Sequence, residues 1–340
     1  MTELLPATPE NIARAAGILR DGGLAAFPTE TVYGLGANAL NIEAVGRIFL
    51  AKRRPTADPL IVHLSELSQI DRIASVVSSQ AQLLAATFWP GPLTLILPKR
   101  AEVPDLVTSG LQSVAVRIPD HPVALALIAD SGVPVAAPSA NLFGHTSPTT
   151  AQHVWRDLAG RVDVILDAGE TSIGVESTVL DISTSPARIL RPGGITREML
   201  ESLIGPVTLI KQIRKPERGL PSPGLLERHY SPRARMVFFK NKNAKQALLA
   251  YCLAENTAGK KVGALVMDGD VPDCQQAGAI AYAVGANLDT VARRIYSGMR
   301  WLDEQGVDII LAGGVEESGL GLAVRDRLMR AASVVIGEED

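Results

Sequence analysis

Short apolar runs alternate along this chain with stretches in which apolar residues recur every three or four positions. Ile12, Ala15, Ala16 and Leu19 follow the cap residue Thr8 at helical spacing, and this pattern predicts a first helix. The same spacing predicts helices at 41–49, 80–88, 122–129, 150–158 and 197–203. Strands are predicted at 24–28, 60–64, 93–97, 114–118, 133–137, 162–166, 175–181 and 189–190. Because several strands follow one another without an intervening helix, the pattern predicts an α/β fold with a mixed sheet.

The composition changes at about residue 205. Residues 205–235 hold five prolines, and seven Lys or Arg against two Glu, which predicts a stiff, basic, extended connector. Two interpretations stay open: an inert spacer, or an arm that folds over an anionic ligand. The predicted division is therefore a domain at 1–205, a Pro-rich linker or lid at 206–235, and a C-terminal domain at 236–340.

A second pattern begins after the linker. Strands are predicted at 235–239, 262–267 and 308–311, and helices at 244–254, 288–302 and 322–332. This regular alternation is typical of a small, Rossmann-like parallel α/β domain. The Gly313-Gly314 pair follows a strand, but it does not make a phosphate-binding loop.

Composition narrows the class of protein. Of the 340 residues, 46% are hydrophobic and the net charge is −3, which excludes a disordered chain and a broadly basic nucleic-acid coat. Cys252 and Cys274 are the two cysteines, too few for a disulfide framework or a four-cysteine zinc site. The first residues lack a signal-peptide pattern, and no apolar stretch is long enough to span a bilayer. The prediction is a soluble cytoplasmic protein without a membrane partner.

Candidate chemistry lies where predicted strands end. Residues 28–36 bring together hydroxyls, one carboxylate and two glycines, which suit a small polar ligand or else form a polar turn. Lys52 and Arg54 follow a helix, so they either clamp a phosphate or only compensate the helix dipole. His63 lies in an apolar strand, where a core histidine is the common case. Arg117 shares a strand face with small residues, which suits a carboxylate ligand or a surface position.

Three further segments repeat this chemistry: 137–141 with the loop 144–148, 174–181, and 191–194. They place serines, an arginine and glycines at strand ends. No Ser-His-Asp signature, HExxH motif or Walker loop is present. The residue types favour binding of phosphates and carboxylates, with catalysis by positioning and charge neutralisation.

Taken together, these segments resemble the YrdC-like family in its long, two-domain form. Seven motifs carry the resemblance in order, namely PTETVYGLG at 28–36, KRRP at 52–55, DPLIVHL at 58–64, SVAVRIPD at 113–120, PSAN at 138–141, GVESTVLD at 174–181 and RPGG at 191–194, followed by SPGLLERHYSP at 222–232 in the linker. The resemblance implies a twisted open sheet with a positively charged cavity. It also implies synthesis of L-threonylcarbamoyl-AMP from L-threonine, bicarbonate and ATP, with release of pyrophosphate. The product would serve threonylcarbamoyladenosine formation in tRNAs that read ANN codons, through the downstream transferase machinery.

The resemblance also implies roles for individual residues. Those expected to line a threonine pocket are Thr31, His63, Arg117, Ala137 and Ser177. Those expected to contact ATP are Arg54, Asp58, Ser113, Ser139, Ser147, Arg191 and Tyr230. Lys52 and Arg54 would be catalytic through their positive charge, and Mg²⁺ would arrive on the ATP phosphates, with no metal ligands from the protein. Asp58 departs from the family's usual Asn, and an anion at this position needs a partner other than phosphate.

Two other functions are compatible with parts of the sequence. A basic concave face would suit a nucleic-acid-binding module, although the low aromatic content argues against base stacking and leaves only weak tRNA contact. YrdC-like domains also occur in enzymes that use carbamoylphosphate. Those enzymes carry additional modules that this chain lacks.

Overall fold

The chain was described from a computed structural model. The structure describes residues 1–210, 220, 222, 229–240 and 244–337. Most of the predicted basic linker, including the PGLLER part of its motif at 223–228, lies outside the described residues. The described chain forms two units, which are treated separately: an N-terminal unit of Met1–Phe143 and Ser147–Leu225, and a C-terminal unit of Gly144–Thr146 and Leu226–Asp340.

The N-terminal unit contains strands and helices that follow the predicted order closely. Its strands are β1 (Glu3–Pro6), β2 (Ala25–Phe27), β3 (Gly34–Asn38), β4 (Ile61–His63), β5 (Leu93–Pro98), β6 (Ser113–Arg117), β7 (Val135–Ala136), β8 (Val164–Asp167), β9 (Thr178–Asp181), β10 (Ala187–Arg191) and β11 (Val207–Leu209). Its helices are α1 (Pro9–Arg20), α2 (Ile42–Lys52), α3 (Ser79–Phe88), α4 (Asp105–Thr108), α5 (Pro122–Ser131), α6 (Ala151–Leu158) and α7 (Arg197–Ile204), with a 3₁₀ helix at Leu67–Arg72. Side chains cap the helices as the sequence predicts, for example Thr8 on α1 and Asn41 on α2.

These strands form one mixed sheet in the order β1-β8-β2-β3-β7-β4-β6-β5-β9-β10-β11 within the described residues. The pairs β1–β8, β4–β6 and β5–β9 are parallel, whereas β2–β3, β5–β6 and β9–β10 are antiparallel. The prediction of a mixed sheet is therefore confirmed. The first residues of the predicted linker are part of it, since β11 pairs with β10 at the sheet edge.

Alternation along the strands separates two apolar faces. On the first face, Val62, Val116 and Leu180 join the large core beneath α2, α3, α6 and α7. On the second face, α1 and α5 pack against β2, β7 and β8 through a separate cluster. Further along the second face lies a small apolar cluster that consists of Ile61, Ile96, Ala115, Val179 and Leu190. This part of the second face carries the candidate site.

The C-terminal unit is a parallel α/β structure, as the alternating pattern predicts. It contains β12 (Arg235–Phe239), α8 (Ala244–Thr257), β13 (Val262–Val266), a 3₁₀ helix (Asp268–Asp270), α9 (Val271–Gln276), β14 (Ile280–Ala283), α10 (Leu288–Glu304), β15 (Ile309–Gly313), α11 (Leu320–Ala331) and β16 (Val334–Ile336). The strand order is β14-β13-β15-β12-β16, and all neighbours in the described part are parallel. No described helix in either unit is both long and apolar enough to cross a membrane.

Candidate active site

Three neighbouring strands, and the residue just before a fourth, carry a polar side chain two positions away from a member of the small apolar cluster. The pairs are His63 with Ile61, Thr94 with Ile96, Arg117 with Ala115, and Ser177 with Val179. Because side chains alternate between faces, each polar group lies on the same face as its apolar partner. The register places all four at the same end of their strands, since β5 and β9 begin where β4 and β6 end.

Arg117 is the centre of the first group of contacts. Its guanidinium is buried, donates from Nη1 to Thr31 Oγ1 at 3.0 Å, and donates from Nε to the Gly91 carbonyl at 3.2 Å. Its Nη2 lies 2.5 Å from Glu30 Oε1, and both side chains are at most 5% exposed. Thr31 is itself held by a 2.8 Å contact with Thr29 Oγ1. The predicted threonine-pocket residues Thr31 and Arg117 therefore lie in direct contact.

His63 stands beside Arg117 on the neighbouring strand, in register with it. Burial, together with the nearby cations of Arg117 and Arg191, lowers the pKa of His63 to about 3. The imidazole is therefore neutral at physiological pH. Its Nδ1 has no hydrogen-bond partner among the described residues, so a neutral ligand hydroxyl suits it better than an anion does.

The lowered pKa of His63 makes a prediction about stability. The unfolded chain binds a proton at this residue below about pH 6.5, whereas the folded chain does so only near pH 3, so stability falls as the pH drops through this window. Between pH 7 and pH 5 we expect His63 to cost about 2 kcal/mol of unfolding free energy. Denaturant titrations of the wild type and of His63→Gln at both pH values measure this cost. Equal losses in the two proteins would contradict it.

Ser177 forms the second group of contacts with Thr94 and Arg191. The two hydroxyl oxygens lie 2.8 Å apart, and Arg191 Nη2 donates to the Ser177 carbonyl at 3.1 Å and to Oγ at 3.2 Å. All three side chains are buried. Because β6, β5 and β9 are neighbours in the sheet and Arg117, Thr94 and Ser177 lie at the same end of them, this group lies on the same face as the Arg117 group.

Gly193 explains why the strand after Arg191 can approach Ser177 so closely. A Cβ at Gly193 would lie 2.3 Å from both the Glu176 carbonyl oxygen and the Thr178 nitrogen, well inside van der Waals contact. Only glycine fits here without moving the backbone of the Ser177 segment. The glycine pair of the sequence motif thus serves a close backbone contact.

Lys52 and Ser139 meet in the interior, by an arrangement that the sequence does not reveal. α2 ends at Lys52 because Arg53 adopts a left-handed conformation with φ 54°. The Lys52 side chain is 1% exposed, and its Nζ donates to the carbonyls of Ser139 and Asn141 at 2.5 Å each. Burial and the nearby Arg54 cation hold the pKa of Lys52 well below its usual range. Lys52 therefore fixes the turn that carries Ser139.

Arg54 and Asp58 form a buried ion pair. Arg54 Nη2 lies 2.9 Å from Asp58 Oδ2, and the guanidinium also donates to the Asp58 and Pro59 carbonyls. Arg54 is thus the cation that compensates the negative charge of Asp58. The pair is close to neutral, so Arg54 brings less net charge to a phosphate than the sequence suggests.

The other predicted residues lie at various distances from these groups. Ser147 is buried and donates to Glu176 Oε1 at 2.5 Å, and Ala137 is buried beside β4. Ser113 opens β6, four residues and about 13 Å before Arg117. Tyr230 belongs to the C-terminal unit, where it is buried with the Arg327 guanidinium 5.2 Å from its ring centre. The contact of Tyr230 with ATP stays a prediction.

Three buried polar residues of this site were not among the predicted site residues. Glu30 and Glu176 lie inside recognised motifs but have no assigned role there, and Thr94 lies in an apolar strand without any motif. Thr94 could have been found, since it is the one hydroxyl residue in the strand Leu93–Pro98 and alternates with Ile96 toward the site face.

The N-terminal unit is a mixed α/β structure with buried cations and hydroxyls at one end of its sheet, and it is joined to a parallel α/β unit. This arrangement is typical of an enzyme that acts on small molecules and not of a nucleic-acid coat. Comparison with known proteins agrees. The Sua5/YciO/YrdC family, described as "Telomere recombination", matches residues 17–193, and a family described as "Threonylcarbamoyl-AMP synthase, C-terminal domain" matches residues 195–333. The chain belongs to the Sua5/YciO/YrdC family, in its two-domain form.

Relatives and solved structures are similar over nearly the whole chain. A threonylcarbamoyl-AMP synthase of Pyrococcus abyssi is 46% identical over 94% of this chain and 93% of its own length. A threonylcarbamoyl-AMP synthase of Bacillus subtilis is 43% identical over 98% of this chain and 96% of its own length. The crystal structure of P. abyssi Sua5 complexed with L-threonine matches with a TM-score of 0.90 and 41% identity, covering 99% of this chain and all of that one.

Proposed function

We propose that this protein synthesises L-threonylcarbamoyl-AMP from L-threonine, bicarbonate and ATP, with release of pyrophosphate. The observation that carries the proposal is the Arg117 group, in which a buried guanidinium is held between Thr31 and the Gly91 carbonyl on an internal face of the sheet. A buried, oriented arginine suits the carboxylate of an amino acid. Neutral His63 beside it suits the hydroxyl of threonine.

The residues around Arg117 divide the substrates between them in this proposal. Thr31, His63, Arg117, Ala137 and Ser177 would surround threonine, whereas Arg54, Asp58, Ser113, Ser139, Ser147 and Arg191 would contact ATP. Arg191 connects the two sets, because it is assigned to ATP and donates a hydrogen bond to Ser177 of the threonine set. The reacting molecules would meet near Arg191.

The chemistry needs positioning more than it needs a strong base. The neutral amine of threonine and bicarbonate give a carbamate with loss of water, and the anionic oxygen of the carbamate attacks the α-phosphorus as pyrophosphate leaves. Bringing these anions together in line is the main barrier, and Arg191 and Arg54 would lower it by offsetting negative charge. Lys52 would contribute by fixing the turn that holds Ser139.

Mg²⁺ would enter this site with ATP. The buried carboxylates of Glu30 and Asp58 each face an arginine, so a metal held by phosphate oxygens and water fits these residues better than one held by the protein. When bound, the ion would offset the negative charge of the phosphates. The product would pass to the transferase machinery that modifies tRNA, and direct tRNA contact by this chain would be weak.

One incubation tests the proposed function. The purified chain with L-threonine, bicarbonate and Mg-ATP should give threonylcarbamoyl-AMP by mass detection, and omission of threonine or bicarbonate should abolish it. Carbamoylphosphate should not replace bicarbonate. Absence of the adenylate from a folded preparation, or a product that requires carbamoylphosphate, would contradict the proposal.

A further inference from the structure

Glu30 is a buried carboxylate that the substrate assignment leaves unused. It is 4% exposed and lies on the segment between β2 and β3, next to Thr31. Its backbone is fixed, since its carbonyl accepts from Ile173 N at 2.8 Å and the Thr31 carbonyl accepts from Gly174 N at 3.0 Å. The side chain is therefore presented to the site face from a rigid backbone.

The carboxylate of Glu30 is balanced by charge but not by hydrogen bonds. Arg117 Nη2 lies 2.5 Å from Oε1 as an ion pair, but neither oxygen accepts a hydrogen bond of ordinary geometry from the described residues. A buried carboxylate without donors is costly, because it loses its water without replacement. Such a group at a ligand site suits a ligand that supplies the donors.

Arg117 has hydrogen-bond donors available for the same ligand. A guanidinium has five N–H donors, and hydrogen bonds to Gly91 and Thr31 account for two of those on Arg117. Nη2, which faces Glu30, makes no well-directed hydrogen bond to the described residues. The adjacent Glu30 and Arg117 therefore present one anion and one cation, each with unfilled hydrogen-bonding capacity.

An α-amino acid has the complementary arrangement, with an ammonium group and a carboxylate on one carbon. We propose that Glu30 binds the α-ammonium group of L-threonine while Arg117 binds its α-carboxylate. This inference rests on the proposed function and adds a specificity-determining residue to it. Glu30 thereby selects a ligand with an unsubstituted α-amino group, which reacts with bicarbonate once the ammonium has lost a proton.

The test compares two ligands on the full-length chain by calorimetry. (R)-3-hydroxybutanoate keeps the carboxylate and the hydroxyl of threonine but lacks the amine. We expect wild type to bind L-threonine about 10- to 100-fold more tightly than this analogue, the usual range for a charged hydrogen bond. Glu30→Gln should weaken the binding of L-threonine by the same factor and leave the affinity for the analogue unchanged. The variant should therefore bind the two ligands equally. The matched control is Glu3→Gln, which breaks an exposed ion pair with Arg14 and should keep the wild-type ratio.

Other outcomes overturn the inference. If Glu30→Gln weakens both ligands equally, Glu30 acts only by holding Arg117, and if it weakens neither, Glu30 has no part in binding. If Glu30→Gln fails to fold, the affinities of the wild type for L-threonine and for the analogue still test the inference. Equal affinities would exclude a site for the ammonium group. Failure of the proposed function is distinguishable: wild type would then show the ligand ratio without making threonylcarbamoyl-AMP.

Discussion

Arg117→Met should lower kcat/KM for L-threonine by about 100- to 1,000-fold, because two charged hydrogen bonds of roughly 1.5–2 kcal/mol each are lost. The same change should also destabilise the fold. It removes the only cation that the structure places against Glu30 within the described residues, and an uncompensated buried charge costs about 3–5 kcal/mol. Pyrophosphate release at varied threonine concentrations and urea unfolding measure the two effects.

The control for Arg117→Met is Arg47→Met. Arg47 also pairs with an acidic residue, Asp163, but both side chains are at least 40% exposed. A surface pair of this kind contributes less than about 1 kcal/mol, and Arg47 lies outside the candidate site. If Arg47→Met and Arg117→Met lowered activity and stability alike, Arg117 would have no special role.

Lys52→Met should reduce both stability and adenylate formation. The substitution keeps the length of the side chain but leaves the buried carbonyls of Ser139 and Asn141 without their donor, at a cost of about 2–4 kcal/mol. Because the turn that carries Ser139 then loses its support, we expect the KM for ATP to rise by about tenfold or more. Thermal unfolding and ATP titrations of pyrophosphate release measure these changes.

Lys260→Met is the matched control, since Lys260 is exposed in the C-terminal unit. Lys52→Arg separates the two roles that are possible for Lys52. If charge near the phosphates is what matters, arginine restores activity. The structure predicts that it does not, because the bulkier guanidinium does not fit between two carbonyls that lie 2.5 Å from Nζ.

Much of the fold could be predicted because its strands are short, apolar and bounded by clear turn residues. β12 has the predicted bounds, β5 differs from its prediction by one residue at one end, and β4 and β6 differ by one residue at each end. β3 was missed because Gly34 and Gly36 give a strand without β-forming side chains. Its close packing needs glycine, since a Cβ at Gly36 would lie 2.8 Å from the Phe27 ring and the Val135 side chain. The sequence also did not predict β1, β11, β14 and β16, all of which are short strands at the edges of their sheets.

The site was predictable to the extent that its residues follow motifs along the chain. Thr31, Arg117, Ser177 and Arg191 were all singled out, and the structure brings them onto one face. The pairing of Lys52 with Ser139 was not predictable, because it joins residues 87 positions apart through backbone carbonyls that carry no sequence signal. Asp58 is anomalous in the sequence although its partner Arg54 lies four residues earlier, because the sequence does not show that the two buried side chains face each other.

A crystal structure of this chain with bound L-threonine would show directly whether Arg117 binds the substrate carboxylate. We expect the α-carboxylate of L-threonine to lie within hydrogen-bonding distance of the Arg117 guanidinium, with Thr31, His63 and Ser177 around the same molecule. Threonine bound away from Arg117, or bound with its ammonium group against that guanidinium, would contradict the proposed role of Arg117.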